Sequence, residues 1–175
     1  VLVGSEADDL NIQRLLISRP YSVIHYCGHI DYDRQTSSLR LHRGRLCAGD
    51  IRPLFRGCPV VFLNGCYSDF HWETGRAAAS TGSLARTESL AEGFMCGNDR
   101  GVAPVVVGAM WSIPDEPEEA GPEFSLTFYK NLFAGGAVGE ALRSSRLMAR
   151  YRQWGPRVWG PYVLYGDPLF EPFAP

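Results

Sequence analysis

The run Pro59-Val-Val-Phe-Leu-Asn-Gly-Cys66 constrains the fold more than any other stretch. Its apolar centre is continuous and partly β-branched, and it stops at Asn64-Gly65, a turn signal. Such a run reads as a strand buried on both faces, the central strand of a parallel sheet. Cys66 then lies just past the carboxyl end of that strand, where open α/β sheets hold their ligands. Tyr21-Ser-Val-Ile-His-Tyr-Cys-Gly-His29 has the same form: an apolar run, a glycine, then a histidine. If the two strands are neighbours, a thiol and an imidazole converge on one crevice.

The rest of the chain alternates in the same way. Val1 to Gly4 reads as the end of a strand, and Glu6 to Ser18 as a helix with Ala7, Leu10, Leu15 and Leu16 on its apolar face. Asp31 to Ser38 is polar and reads as loop, with Leu39 to Leu41 a short hairpin strand. Ala48-Gly-Asp50 caps a short helix from Ile51 to Phe55. Ser68 to Thr87 lacks an apolar period and reads as a long, mobile loop. Ser89 to Cys96 is a helix, Ala103 to Trp111 a third buried strand, and Ser112 to Gly121 an acidic loop. Two helices follow. In Pro122 to Phe133 the apolar set is Phe124, Leu126, Phe128, Tyr129, Leu132 and Phe133; in Val138 to Tyr151 it is Ala141, Leu142 and Leu147. Tyr162 to Tyr165 is the last strand. Strands alternating with helices predict an α/β class with a mostly parallel sheet flanked by helices. A sheet of this type needs a strand before Glu6. The chain opens at Val1 without an initiator Met, so it reads as one domain over residues 1–175, excised from a larger chain and short at its first edge.

Charge and composition exclude several classes. With 175 residues, 45% hydrophobic and 21% charged, the chain can bury a core. A net charge of −2 gives no reason to expect a nucleic-acid or membrane surface. No apolar run approaches the roughly 20 residues of a membrane span. The five cysteines (27, 47, 58, 66 and 96) are odd in number and contain no CxxC pair, which points to free thiols in a reducing, cytoplasmic setting. Of the possible metal-ligand pairs only His25 and His29 are close in sequence, and they sit on a strand and a turn, so no metal and no cofactor are expected.

A cysteine with a nearby histidine is the minimal kit for nucleophilic acyl transfer. The thiolate attacks a carbonyl carbon, the imidazole carries the proton, and backbone N–H groups at the turns receive the oxyanion. Gly28 and Gly65 permit such turns. The bland alternative makes Cys66 a small buried hydrophobe and His29 a turn cap. His25, inside an apolar run, reads as a core histidine; His71 reads as solvated; Cys27, Cys47, Cys58 and Cys96 read as core or incidental thiols.

Six stretches in order resemble one family: His25-Tyr-Cys-Gly-His29, Val61-Phe-Leu-Asn-Gly-Cys66, Val105 to Trp111 followed by Asp115, Tyr129 to Phe133, Ala137 to Leu142, and Tyr162-Val-Leu-Tyr-Gly-Asp-Pro168. The series is similar to the CHAT family of caspase-like cysteine proteases, relatives of separase and the metacaspases. The resemblance implies a caspase-like α/β/α sandwich and an endopeptidase that makes limited cuts in a protein or peptide substrate. By position, His29 is the general acid/base and Cys66 the nucleophile, with the amides of Gly28, Ile30, Gly65 and Cys66 around the oxyanion. It further implies a signal-switched protease joined to a sensor such as tetratricopeptide repeats, with bacterial members acting in defence or cell death, some on pore-forming gasdermins. Two departures stand out. Ile30 replaces the usual glycine after the histidine, and Glu73-Thr-Gly75 comes late after Cys66. They leave an inactive scaffold or interaction module as the second reading, and a small-amide amidase as the third. For specificity, Trp111, Asp115 and Glu116 are the substrate-binding candidates: in relatives that cut after arginine or lysine a carboxylate here receives the cation. Glu116, Glu118 and Glu119 read equally well as a solvated acidic loop. Arg34, Arg40, Arg43 and Arg45 point the other way, toward an acidic substrate.

Overall fold

A computed structural model describes residues 1–33, 36–54, 56–65, 89–114 and 117–174. Its centre is a four-stranded sheet built from β1 (Val23–Cys27), β5 (Val60–Asn64), β6 (Val105–Ala109) and β7 (Tyr162–Gly166), in the order β1-β5-β6-β7. β1 and β6 both run parallel to β5, and β7 is antiparallel to β6. A second, antiparallel sheet holds β2 (Ile30–Asp33), β3 (Thr36–Arg40) and β4 (Arg45–Cys47), in that order.

Helices cover both faces. On one face α1 (Asp9–Ser18), α2 (Ala48–Ile51) and α3 (Leu90–Cys96) contribute Leu16, Ile51, Leu90, Ala91 and Phe94 to a layer with Val61, Leu63 and Val106. On the other, α4 (Ala120–Phe133) and α5 (Val138–Tyr151) contribute Phe124, Phe128, Leu132, Val138, Ala141 and Leu142 to a layer with Val60, Phe62, Val105 and Val107. Alternate residues of β5 and β6 thus enter opposite layers, which is why both strands read as unbroken apolar runs. Burying each Phe or Leu contributes roughly 1.5–3 kcal/mol. The Ser145 hydroxyl, wholly buried in α5, donates to the Phe124 carbonyl oxygen at 3.0 Å and so ties the two helices. A short helix, α6 (Pro156–Trp159), precedes β7. The result is an α/β/α sandwich with a mostly parallel central sheet, the architecture that the resemblance implies.

Several expectations need correction. Val1 to Gly4 forms no strand; a single 3-10 turn spans Gly4–Glu6. The first helix begins at Asp9, where Asp8 accepts the Asn11 N–H at 2.8 Å. Leu10 points outward and only Leu16 of the anticipated face is buried, because Ile12 takes the inward position. Asp31–Asp33 and Thr36–Ser38 are not loop but strand, in β2 and β3. The small residues Ser37 and Ser38 are both buried there without an apolar signal. Cys47, not Ala48, caps α2, whose span ends at Ile51: its N–H and thiol both face the Asp50 carboxylate, at 3.0 and 2.9 Å. Leu126, Phe133 and Leu147 lie on the solvent side of their helices. The anticipated loop from Ser68 to Thr87 falls outside the described residues.

Candidate active site

β1 and β5 are neighbours, and their register sets the geometry of the candidate site. Cys27 is the rung partner of Asn64. His29 lies two residues beyond this rung, and in the sequence Cys66 comes two residues after Asn64, the end of the neighbouring parallel strand. The two exits also touch. Gly28 N–H donates to the Asn64 carbonyl oxygen at 3.2 Å. Gly65 is buried so closely against the Gly28 turn that a Cβ on it would lie 2.6 Å from the Gly28 carbonyl oxygen. Neither Gly28 nor Gly65 takes a positive φ. Glycine is needed here for room rather than for left-handed backbone: a Cβ on Gly28 would meet the Tyr26 hydroxyl at 2.7 Å.

Tyr26 was not visible as a site residue in the sequence. Its hydroxyl lies 2.5 Å from the His29 carbonyl oxygen and 2.8 Å from that of Arg40, so its one proton serves both. Burial pushes this phenol up to about 12. The His29 carbonyl also accepts from Arg40 N–H at 3.0 Å, which starts the β2–β3 pairing directly after the histidine. His29 itself is exposed at the mouth of this turn. Because His29 and Arg40 form a bonded rung, the next rung, Ile30 with Leu39, is a non-bonded one, and the Ile30 N–H points away from β3. The Ile30 side chain packs into the layer beneath, against Gly65. The Gly28 N–H, by contrast, is taken up by Asn64. Nearby, Arg40 pairs with Asp31 on the hairpin and holds its carboxyl below the usual range.

On the other face Asn64 is held by its side chain. Tyr162, only 1% exposed, donates its hydroxyl to Asn64 Oδ1 at 2.7 Å, and Asn64 Nδ2 faces the Cys27 thiol at 3.7 Å. The first turn of α4 is close by: a Cβ on Gly121 would stand 4.0 Å from the Asn64 amide nitrogen. Trp111 follows β6 and is 43% exposed, its ring lying along Gly160 at the end of α6. Cys66, Asp115, Glu116 and His71 lie outside the described residues.

A family profile of the CHAT domain matches residues 1–167. The chain belongs to the CHAT domain family. No curated protein matches it. The CHAT family is related to the caspase-like cysteine proteases, and the α/β/α sandwich agrees with that relation.

In this CHAT domain one reading of an individual residue changes, that of His25, and the reading of the cysteines narrows to incidental thiols. His25 is not a core histidine: it sits on the edge strand β1, exposed, its ring stacked on Phe62 at 5.3 Å with Nδ1 2.6 Å from the Tyr129 hydroxyl. Burial of its inner face still lowers its pKa below the usual 6.5. Of the described cysteines, Cys27, Cys58 and Cys96 are exposed and Cys47 half-buried, so none is a core residue. Among the described residues no cluster of three His, Cys, Asp or Glu side chains could hold a metal, and no helix is long and apolar enough to cross a membrane. The outer edge of β1 carries a groove of about 860 Å³ shared with α1 and lined also by Tyr26, Cys27 and Arg40.

Proposed function

We propose that this CHAT domain is a cysteine endopeptidase that cuts a protein partner at few positions through a His29–Cys66 dyad. One observation supports the reading: the strands that precede the two residues in sequence are adjacent and parallel, with Cys27 and Asn64 on one rung, and Gly28 and Gly65 pack against each other. Cys66, as thiolate, adds to the carbonyl carbon of the scissile peptide, and His29 takes up the thiol proton. The carbonyl oxygen becomes an oxyanion, for which we assign the amides of Ile30, Gly65 and Cys66 as donors, since that of Gly28 is engaged by Asn64. The intermediate collapses to an S-acyl enzyme as His29 gives its proton to the leaving amine. His29 then accepts a proton from water, which attacks the thioester, and the carboxylic acid leaves with Cys66 restored.

Trp111 supplies an exposed aromatic wall beyond β6, and Asp115 with Glu116 completes a pocket for an arginine or lysine side chain. The reading includes a signal that switches the protease on through a sensor domain or subunit, in a bacterial defence or cell-death response. The scaffold alternative rests on Ile30 and on the late Glu73-Thr-Gly75; the Ile30 side chain packs inward, and its N–H is turned away from β3. The test is digestion of a proteome-derived peptide library by the wild type and by Cys66→Ala. Cuts made by the first and absent from the second, with arginine or lysine before the break, are expected. Identical fragment patterns from both would overturn the protease reading.

A further inference from the structure

Asn64 is the last residue of β5 and the point where three strands are tied together. Its backbone carbonyl takes the Gly28 N–H from the end of β1. Its side-chain oxygen takes the Tyr162 hydroxyl from β7, a strand that is not its neighbour in the sheet. Its amide nitrogen faces the Cys27 thiol. Tyr162 is a fixed post for this contact. Its ring is stacked on Phe124 at 4.4 Å and tilted against Phe62 at 5.6 Å. Its backbone is held by the rung with Ala109 and by the Arg146 guanidinium, which donates to its carbonyl. A hydroxyl spent in an otherwise apolar layer must be hydrogen-bonded, and here its acceptor stands two residues before the nucleophile.

We propose that Tyr162 and Asn64 form a positioning pair that sets where β5 delivers the Cys66 thiol against His29. This rests on the dyad reading above. With the hydroxyl present, the Asn64 amide has one orientation and the strand exit one path. Without it, Asn64 Oδ1 loses its donor, the amide turns, and the thiol meets the substrate carbonyl in a broader range of geometries. Such a loss falls on the chemical step and not on substrate binding.

The test compares the wild type, Tyr162→Phe and Val138→Ala. Phenylalanine keeps the ring stacking and removes only the hydroxyl. Val138 is buried in the same layer at the far end of α5, where its N–H bonds to the Phe170 carbonyl, so its truncation destabilises the layer without touching Asn64. All three are assayed below their unfolding midpoints, for peptide cleavage and for alkylation of Cys66 by iodoacetamide, with the site read by mass spectrometry. Tyr162→Phe is expected to lower kcat about tenfold with KM within about twofold, and to change the alkylation rate at least about threefold. Val138→Ala is expected to match the wild type in both. An unchanged kcat in Tyr162→Phe overturns the proposal; so does a loss confined to KM, or an equal loss in Val138→Ala, which would make the pair merely structural. If the wild type cleaves nothing, it is the protease reading that fails. The alkylation rates then decide the pair: equal rates in wild type and Tyr162→Phe overturn it, and unequal rates support it.

Discussion

Replacing Gly65 by alanine adds one methyl group where the two strand exits meet. A Cβ there would lie 2.6 Å from the Gly28 carbonyl oxygen and 2.9 and 3.0 Å from Ile30 Cδ1 and Cγ1. Ordinary van der Waals contact begins at 3.4 Å, so against the carbonyl the turns must part by about 0.8 Å. The Ile30 side chain can turn away. The Gly28 carbonyl cannot, because its peptide neighbours are tied on both sides: Gly28 N–H to Asn64, and the His29 carbonyl to Tyr26 and Arg40. Forcing a methyl group into such a contact costs about 1–3 kcal/mol of stability. The chemistry suffers more, since a misplacement near 1 Å between reacting groups is worth roughly 100-fold. Gly65→Ala should therefore lose about 1–3 kcal/mol in urea unfolding and roughly 10- to 100-fold in kcat. Adding Ile30→Ala should recover little, because the carbonyl remains. Alanine at position 65 with wild-type unfolding and wild-type turnover would refute the contact between the two exits.

Three other outcomes are expected. Asp115→Ala and Asp115→Asn should each lose two to three orders of magnitude on peptides with arginine or lysine before the cut, about 3–5 kcal/mol, and little on neutral ones; a fluorogenic series varied at that residue reads this directly. Tyr26→Phe should cost about 1 kcal/mol and speed exchange of the Arg40 amide, which shares the His29 carbonyl; unchanged exchange would show that the hydroxyl does not hold the turn. Burial lowers the His25 pKa, so the unfolded chain binds the proton first as pH falls: this contribution to stability is complete above about 6.5 and declines below it, toward the folded-state value. Urea midpoints measured between about pH 8 and pH 5 should fall less steeply in His25→Phe than in the wild type.

The central strands were legible because burial on both faces leaves one apolar run with nothing to disguise it, as in Val60 to Leu63 and Val105 to Val107. α5 was legible to its last residue, with a period of apolar and small residues from Val138 to Ala149. The β2–β3 hairpin was not, because Ser37 and Ser38 are buried there, and buried small polar residues look like loop. His25 misled for the opposite reason: an apolar run does not say whether its strand is central or at an edge, and β1 is an edge of the described sheet. At the candidate site the sequence shows which residues follow the strands but not what steadies them. Tyr162 and Asn64 stand 98 residues apart, and Tyr26 acts on backbone carbonyls, so neither leaves a local pattern.

The most direct test of the dyad is labelling with a peptidyl chloromethyl ketone carrying arginine at the reactive end, with the modified residue located by mass spectrometry. The account predicts a covalent adduct on Cys66 alone, formed much more slowly in His29→Ala. The exposed thiols of Cys27, Cys58 and Cys96 should stay unmodified over the same time. Labelling spread evenly over the exposed cysteines, or an adduct on Cys66 that forms as fast without His29, would contradict it.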